Sequence, residues 1–272
     1  MRRANADSPL VRRTLIAVAV LFIAGVVLLP IALILHEAFK KGVGVFTAAL
    51  VDEQAWSAIK LTLQAAAIVV PINTAFGFAA AWAIARFAFR GKNVLITLID
   101  LPFAVSPVIA GMIFVLLFGA QGVLGPFLAR HDLKVIFALP GIVLATMFVT
   151  VPFVARELLA FMQAQGRDDE EAALTLGATG WQMIRHVTLP NIKWSLVFGV
   201  ILCNARAMGE FGAVSVVSGH IRGQTNTIPL HVEILYNEYE FAAAFSVSSL
   251  LVALGLVTLA VKRYVEWRTR HG

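Results

Sequence analysis

Hydrophobic residues are grouped along the chain into six long runs, separated by shorter polar stretches. Each run has about 20 or more mostly apolar residues, which at about 1.5 Å rise per residue is enough to cross a hydrocarbon core of about 30 Å. The pattern therefore predicts an all-α membrane protein with six transmembrane helices in a single domain, residues 1–272. The predicted spans are 15–35, 61–85, 94–118, 135–155, 194–217 and 241–261.

Prolines inside the runs predict bends. Pro71 is expected to kink the second span, and the third span, which contains Pro102 and Pro107, is expected to be broken or bent. Asp100 lies beside that break. It either pairs with a basic group on another helix or caps the break locally, and we expect the local cap. The fourth span contains prolines as well, at Pro140 and Pro152.

A polar stretch between the fourth and fifth runs, residues 166–190 and called the polar segment below, has the signals of two short helices. The first opens with the acidic run DDEE, which the positive end of a helix dipole favours, and ends at Gly177. The second is predicted to begin with a capping box at Thr179. We expect it to end at about Val187, because Pro190 disfavours helical geometry in the residue before it.

Composition supports the membrane assignment. The chain is 59% hydrophobic and only 14% charged, with a mean hydropathy of +0.83, whereas soluble domains are about 45–50% apolar and about 25% charged. A formal net charge of +6 could suggest nucleic acid, but the basic residues are distributed as membrane topology requires, so no nucleic-acid partner is expected. Cys203 is the only cysteine, lies inside a hydrophobic run, and excludes an intrachain disulfide.

The distribution of basic residues predicts the orientation in the membrane. Most of the 22 lysines and arginines fall on the side that carries the two termini and the polar segment, and the side richer in Lys and Arg is usually cytoplasmic. The first run is too long for the apolar core of a cleaved signal peptide, so it is expected to remain as a transmembrane helix. Three stretches are therefore predicted to be cytoplasmic: 1–13, 166–190 and 262–272.

No constellation of residues suggests an enzyme. The chain lacks the GxxxxGK[ST] phosphate-binding loop, and its six histidines are scattered without the spacing of metal ligands. We therefore predict no catalytic residue, no metal site and no cofactor in this chain. Energy for any active transport is expected to come from a partner.

Two charges lie inside the fifth hydrophobic run. Arg206 and Glu210 are four residues apart, one turn of a helix, and charge at the bilayer centre costs at least about 2.5–3.5 kcal/mol on insertion scales. They are either a mutually neutralising pair, the interpretation we favour, or an anion path lined by Arg206 and held or gated by Glu210. Gly209 and Gly212 beside them would allow another helix to approach closely.

The polar segment resembles a known motif. Glu171-Ala172-Ala173, then Gly177, then Val187-Thr188-Leu189-Pro190 is similar to the EAA loop of ABC-importer permeases, which usually has Ile at the position of Val187. In that family the loop is a cytoplasmic coupling helix that inserts into an ATPase subunit; the alternative is an ordinary amphipathic surface helix. The resemblance assigns ATPase coupling to Glu171, Ala172, Ala173, Gly177, Leu189 and Pro190.

A longer resemblance covers most of the chain, from LPFAVSPVIAG at residues 101–111 to the sixth span. The run from 206 to 242 is similar to sulfate/thiosulfate permeases of the CysW type. The resemblance implies the type I ABC importer permease (MetI-like) architecture in a bacterial plasma membrane. It also implies a heterodimer with a sister permease, two ATPase subunits that use ATP and Mg²⁺, and an extracytoplasmic sulfate-binding protein.

The same resemblance places the substrate path at the interface between the two permeases. A tetrahedral dianion needs hydrogen-bond donors, and the candidate residues for the path are Arg206, Glu210, Ser215, Ser218, His220 and Arg222. The loop 219–240 either contacts the binding protein through an apolar ridge that includes Ile228, Leu230 and Tyr236, or packs as a re-entrant helix. Two alternatives are molybdate or another oxyanion as substrate, and a stand-alone channel or secondary transporter.

Overall fold

The computed structural model describes residues 9–271, with side chains described for residues 10–267. Within that range the secondary structure consists of fourteen α-helices and two π-helical turns, with no strand. In chain order the α-helices are α1 (Pro9–Ile23), α2 (Leu29–Phe39), α3 (Val43–Val51), α4 (Glu53–Arg86), α5 (Lys92–Ala104), α6 (Pro107–Phe118), α7 (Gly125–Arg130), α8 (Leu139–Gln165), α9 (Asp168–Thr175), α10 (Gly180–Met183), α11 (Leu189–Met208), α12 (Gly212–Ser218), α13 (Ile228–Asn237) and α14 (Phe241–His271).

The described part of the chain contains up to six candidate membrane spans, the number that the hydrophobic pattern predicts. Five are single helical stretches long and apolar enough to cross a bilayer: Leu10–Phe39, Glu53–Arg86, Leu139–Gln165, Gly180–Met208 and Phe241–Trp267. The sixth is the pair α5 and α6, which meet at a bend of 108°. The predicted break in the third run is therefore confirmed.

Several predicted boundaries are wrong, because helices continue into polar sequence. The stretch between the first two predicted spans contains α3 and the start of α4, although no helix was predicted there. At the start of α4 the Asp52 carboxylate accepts hydrogen bonds from the backbone N–H groups of Gln54 (2.9 Å) and Ala55 (3.2 Å). Such a side-chain cap satisfies donors that a helix start otherwise leaves unpaired. The tail predicted at 262–272 is helical as far as His271.

The prolines differ in their effects. Pro71 and Pro152 lie inside α4 and α8, which run through them without a break, whereas the third span breaks after Ala104 and resumes at Pro107. Pro107 lies in the first turn of α6, where its missing N–H removes no helical hydrogen bond. The break therefore lies just before Pro107, which starts α6, whereas Pro102 lies inside α5 without interrupting it.

The polar segment matches its prediction at the first helix and the turn, but not at its end. Helix α9 ends before Gly177, whose φ of +88° is the left-handed conformation expected of a glycine stop. The capping box at Thr179 is present. The second helix does not stop at Val187, since α10 passes through a π-helical turn, Ile184–Thr188, directly into α11.

This π-helical turn explains why Pro190 does not end the helix. A proline inside an α-helix removes one hydrogen bond and clashes with a carbonyl of the preceding turn. Widening that turn changes the pairing, so that the Leu189 N–H bonds to the Ile184 carbonyl five residues back. The other π-helical turn, Ala24–Leu28, stands in the same way just before Pro30. In both places the turn carries a helix past a proline.

The core is built around the contact of α4 with α8. A β-carbon at Gly77 would lie 2.9 Å from the Ala155 nitrogen, so the two backbones touch at this point. Close approach through small residues is how helices associate in lipid, where burial of apolar surface provides little drive. Nearby, the Asn73 amide donates to the Thr150 hydroxyl across the same interface at 2.8 Å. The described part of α8 thus forms the centre on which α4, α5, α11 and α12 pack.

Candidate functional site

The polar segment presents an exposed turn at one end of the helical bundle. Glu171, Ala172 and Gly177 are exposed, and Ala173 is half-buried. Large apolar side chains project beside them, with Leu176 88% and Trp181 69% exposed. An open groove of about 450 Å³ runs between α9 and α10 and is lined by Ala173, Leu176, Gly177, Ala178, Gln182, Met183, His186 and Val187. This surface is suited to contact with another macromolecule.

Local hydrogen bonds fix the shape of that turn. The Gly177 N–H donates to the Leu174 carbonyl and the Ala178 N–H to the Ala173 carbonyl, both at 3.0 Å, which is the pattern of a Schellman cap. Nothing lies within 4 Å of a β-carbon added to Gly177. The glycine is therefore required by its positive φ and not by packing, and the space around it is free for a partner.

The six residues assigned to ATPase coupling fall into two groups. Glu171, Ala172, Ala173 and Gly177 lie on or beside the groove. Leu189 and Pro190 lie instead at the start of α11, where Leu189 is half-buried against the hydrophobic core.

The intramembrane charges form an ion pair at a break in the fifth span. The Arg206 Nη1 lies 2.6 Å from the Glu210 Oε2, and the other Glu210 oxygen accepts the Ala213 N–H at 2.8 Å. The expected contact between the two charges is therefore present, and a role of Arg206 in an anion path stays a prediction. The span itself is not the continuous helix predicted over 194–217, because α11 ends at Met208 and α12 begins at Gly212, with the Glu210 carboxylate capping the second piece.

The two broken spans meet near this pair. A β-carbon on Gly111 of α6 would lie 2.7 Å from the Ala213 carbonyl oxygen of α12, and one on Gly212 would lie 3.0 Å from the Pro107 side chain. Gly212 therefore allows the close approach expected of it. Gly209 does not, since its only near neighbour is the Ala205 carbonyl of its own helix.

The other four candidate path residues have partners within α12 or in the chain that follows it. The Ser215 hydroxyl donates to the Gly212 carbonyl at 2.9 Å, and Ser218 is fully buried with its hydroxyl accepting the His220 N–H. His220 pairs with Glu233 at 3.2 Å, and Arg222 pairs with Glu238. The structure thus brings Arg206 and Glu210 together. It gives other partners to Ser215, Ser218, His220 and Arg222.

Asp100 pairs with a basic residue on another helix, so the expectation of a local cap is wrong. Its Oδ1 lies 3.0 Å from the Arg156 Nε of α8, and α5 continues past it to Ala104. The Arg156 guanidinium also lies over the Phe103 ring, 5.5 Å from its centroid. Inside a helix the backbone N–H groups are already paired, so an aspartate there has none to cap. It pairs instead with a cation on a neighbouring helix.

The loop 219–240 contains a packing helix. In α13, Ile228 and Leu230 are buried, and the Ile228 N–H donates to the Thr62 hydroxyl of α4 at 2.9 Å. These two residues are therefore unavailable to a partner. Tyr236 is 52% exposed at the other end of α13, so contact of that end with a binding protein stays a prediction.

Comparison with known proteins identifies the family. Residues 73–271 match the family described as "Binding-protein-dependent transport system inner membrane component". The chain belongs to this family. The match includes the polar segment, both broken spans and the Arg206–Glu210 pair.

Relatives of this permease are similar over most of its length. It is 48% identical over 257 residues to the "Sulfate transport system permease protein CysW" of Escherichia coli (strain K12), covering 94% of this chain and 88% of that protein. Identity to the protein of the same name from Synechococcus elongatus is 51% over 255 residues, covering 94% and 89%. The E. coli "Sulfate transport system permease protein CysT" is 34% identical over 241 residues, covering 89% and 87%.

A solved structure shares the fold of the permease. A chain of the bacterial alginate ABC transporter superposes with a TM-score of 0.77, covering 96% of this chain and 94% of that one, at 18% sequence identity. The architecture is therefore that of an ABC importer permease.

Sequence reasoning missed several residues that shape this permease. Arg156 was counted only as a basic residue of the cytoplasmic side, although it pairs with Asp100. Gly111 was not singled out, although it lets α6 touch α12. The signal for Gly111 was present, because a glycine inside a long apolar run is a recurrent mark of close helix contact.

Proposed function

We propose that the chain is a permease subunit of an ATP-driven importer that moves sulfate, and by resemblance thiosulfate, across a bacterial inner membrane. The observation that carries this proposal is identity of 48–51% to sulfate permeases of the CysW type over 94% of the chain. A stand-alone channel or secondary transporter has no comparable support, and neither does molybdate as the substrate.

The proposed assembly contains partners with different roles. A sister permease forms a heterodimer with this chain, two ATPase subunits bind and hydrolyse ATP with Mg²⁺, and an extracytoplasmic binding protein delivers the anion. The similarity to proteins of both the CysW and CysT types supports pairing of two related but different permeases. In this assignment both termini and the polar segment lie in the cytoplasm.

The polar segment is proposed to dock in a groove of the ATPase. Its free space at Gly177 and its exposed Leu176 and Trp181 support this role. Because α10 joins α11 without a loop, Gly180–Met208 is a continuous helical stretch of 29 residues, about 43 Å at 1.5 Å per residue. Displacement of the docked end is thereby carried to the break beside Glu210.

Arg206 suits contact with the anion best among the candidate path residues. A guanidinium has five N–H donors, and the Arg206 side chain is 34% exposed while its partner Glu210 is 1% exposed. Donors not used by Glu210 are therefore available, and we propose that they face the sister permease. We assign Ser215 to the same path with a weaker contribution, since its hydroxyl already donates within α12.

Uptake of radiolabelled sulfate tests the function. The complete complex is reconstituted in liposomes with ATP inside and binding protein outside, and unlabelled sulfate, thiosulfate and molybdate are compared as competitors. Competition by sulfate and thiosulfate but not by molybdate is expected. Uptake of labelled molybdate by the complex, with no uptake of labelled sulfate, would reassign the substrate. Uptake of sulfate by liposomes that contain only this chain would establish a channel or secondary transporter.

A further inference from the structure

A buried ion pair ties the polar segment to the end of the second span. Arg86, the last residue of α4, lies with its Nε 2.7 Å from Oε2 of Glu170 and its Nη2 3.1 Å from Oε1. Both side chains are less than a tenth exposed. The same carboxylate accepts the Thr188 hydroxyl at 2.8 Å. One side chain in α9 thus joins α4 and the π-helical turn before α11.

Two arginines complete this contact by capping each other's helices. The Arg86 Nη1 donates to the carbonyls of Gly166 (2.7 Å) and Met162 (3.2 Å) at the end of α8. In return, the Arg167 Nη2 donates to the Ala85 carbonyl at the end of α4, at 2.9 Å. Carbonyls at helix ends lack partners in their own helix, so these bonds satisfy acceptors that would otherwise need water. We call Arg86, Arg167, Glu170 and Thr188 the arginine junction.

The arginine junction lies across the short non-helical link between α8 and α9. Helix α8 ends at Gln165 and α9 begins at Asp168. Between them Gly166 has φ +81° and ψ −159°, a conformation that glycine adopts readily and other residues rarely. Glycine places the least restriction on backbone rotation at such a link, and α4 is joined to α9 only through the intervening helices α5 to α8. The side chains of the junction therefore decide how α9 is held against both spans.

Burial distinguishes Glu170 from its acidic neighbours. Asp168, Asp169 and Glu171 are exposed on the same first turn, whereas Glu170 is 7% exposed. Exposed carboxylates there gain from the helix dipole, and that of Asp169 also accepts the Asn191 amide at 3.0 Å. Of the four acids, only Glu170 is removed from water and paired with a buried cation. The helix dipole alone therefore does not explain the acidic run.

We infer that the Arg86–Glu170 pair is a positioning device for energy coupling. It converts the link at Gly166 into a rigid one, so that displacement of the docked polar segment moves the ends of α4 and α8 together with α11. This inference rests on the proposed function. Neither Arg86 nor Glu170 lines the exposed groove, so their effect is on the transmission of movement and not on docking itself.

Variants at the pair are compared in the complete reconstituted complex. Glu170→Gln keeps the side-chain volume and removes the charge. Glu53→Gln makes the same change at an exposed position in the first turn of α4, outside the polar segment. The measured quantity is sulfate taken up per ATP hydrolysed. We expect Glu170→Gln to lower this ratio by about 2- to 30-fold, the range that substitutions in coupling networks produce. Glu53→Gln should leave it unchanged.

A double variant separates coupling from stability. Replacing both members of a buried ion pair by apolar residues commonly restores stability that a single replacement loses. The double variant Arg86→Met, Glu170→Met should therefore have a Tm close to that of the wild type. It should still take up little sulfate per ATP hydrolysed, because apolar side chains cannot cap α8 or bind the Thr188 hydroxyl. A double variant with the wild-type ratio would show that the pair only stabilises the fold and would overturn the inference. If Glu170→Gln fails to assemble, Thr188→Val removes a single bond of the carboxylate, and an unchanged ratio there counts equally against it.

Hydrogen exchange provides a readout that does not depend on the transported substrate. In the purified complex, Glu170→Gln should speed exchange of the backbone amides of α9 and of the last turn of α8, and should leave those of α12 unchanged. Unaltered exchange in α9 would refute the rigid link whatever the complex transports. Conversely, if Glu170→Gln speeds exchange in α9 but the wild-type complex shows no sulfate-dependent uptake, the proposed function is wrong and the rigid link is still supported.

Discussion

The ion pair at the break in the fifth span is unequal, and the inequality predicts which partner is harder to lose. The Glu210 carboxylate is 1% exposed, whereas the Arg206 side chain is 34% exposed. Replacing Arg206 by Met leaves a buried charge without its counter-ion. Replacing Glu210 by Gln leaves a partly exposed guanidinium that can reach other acceptors, and retains an amide oxygen to accept the Ala213 N–H.

The magnitudes follow from burial. Removing one partner of a buried pair costs about 3–5 kcal/mol because the other charge stays uncompensated, and this applies to Arg206→Met. For Glu210→Gln the expected cost is about 1–2 kcal/mol, since a neutral acceptor replaces a charged one at the Ala213 N–H and solvent screens the remaining cation. The double variant, which leaves no charge at the break, should lose less than Arg206→Met alone.

Unfolding in mixed detergent micelles tests this order. The free energy of unfolding is measured by denaturing-detergent titration for the wild type, both single variants and the double variant. The expected order of stability is wild type, Glu210→Gln, then Arg206→Met, with the double variant above Arg206→Met. If Arg206→Met proves no less stable than Glu210→Gln, the carboxylate does not depend on this pairing and the account of the break is wrong.

Three further predictions concern the core, the exposed turn and acid sensitivity. Gly77→Ala should destabilise by about 1–3 kcal/mol in the same titration because its methyl group meets the α8 backbone, while Gly255→Ala, with nothing within 4 Å, should not destabilise. Gly177→Trp should abolish pull-down of the ATPase subunits while the permease still folds in detergent, since the added side chain fills the free space at the turn and the positive φ disfavours it; normal pull-down and uptake would contradict the docking role. Burial lowers the pKa of His231 in α13, with smaller opposing effects of Asp52 and Glu238. As the pH falls, the unfolded chain therefore takes up a proton on His231 before the folded protein does, and stability present above about pH 6.5 is lost below it. His231→Gln should show a smaller drop in Tm between pH 7.5 and pH 5.5 than the wild type, and an equal drop would refute this.

Local signals in the sequence predicted local structure well. The six apolar runs correspond to five candidate spans and the bent pair α5 and α6, since bilayer thickness sets how many apolar residues a span needs. Gly177 and Thr179 predicted the turn and the second helix start, since a left-handed glycine and a capping box act within a few residues. Each of these inferences needed only neighbours in the chain.

Features that depend on distant residues were not predictable in the same way. Arg86 and Glu170 are 84 residues apart, and nothing in either neighbourhood names the other as its partner. The choice between a cap and an ion pair for Asp100 likewise depended on Arg156, which folding brings from α8. Pro190 misled because its usual effect on a helix is avoided by the π-helical turn before it, and that turn has no strong sequence signal.

ATP hydrolysis by the purified, reconstituted complex tests the central claim most directly. The rate is measured without binding protein, with the sulfate-loaded binding protein, and with the binding protein after incubation with molybdate. The account predicts clear stimulation by the sulfate-loaded form alone, since the signal must pass from the outer face through this permease to the ATPases. An intact complex whose hydrolysis is indifferent to the loaded binding protein would contradict coupling through the polar segment.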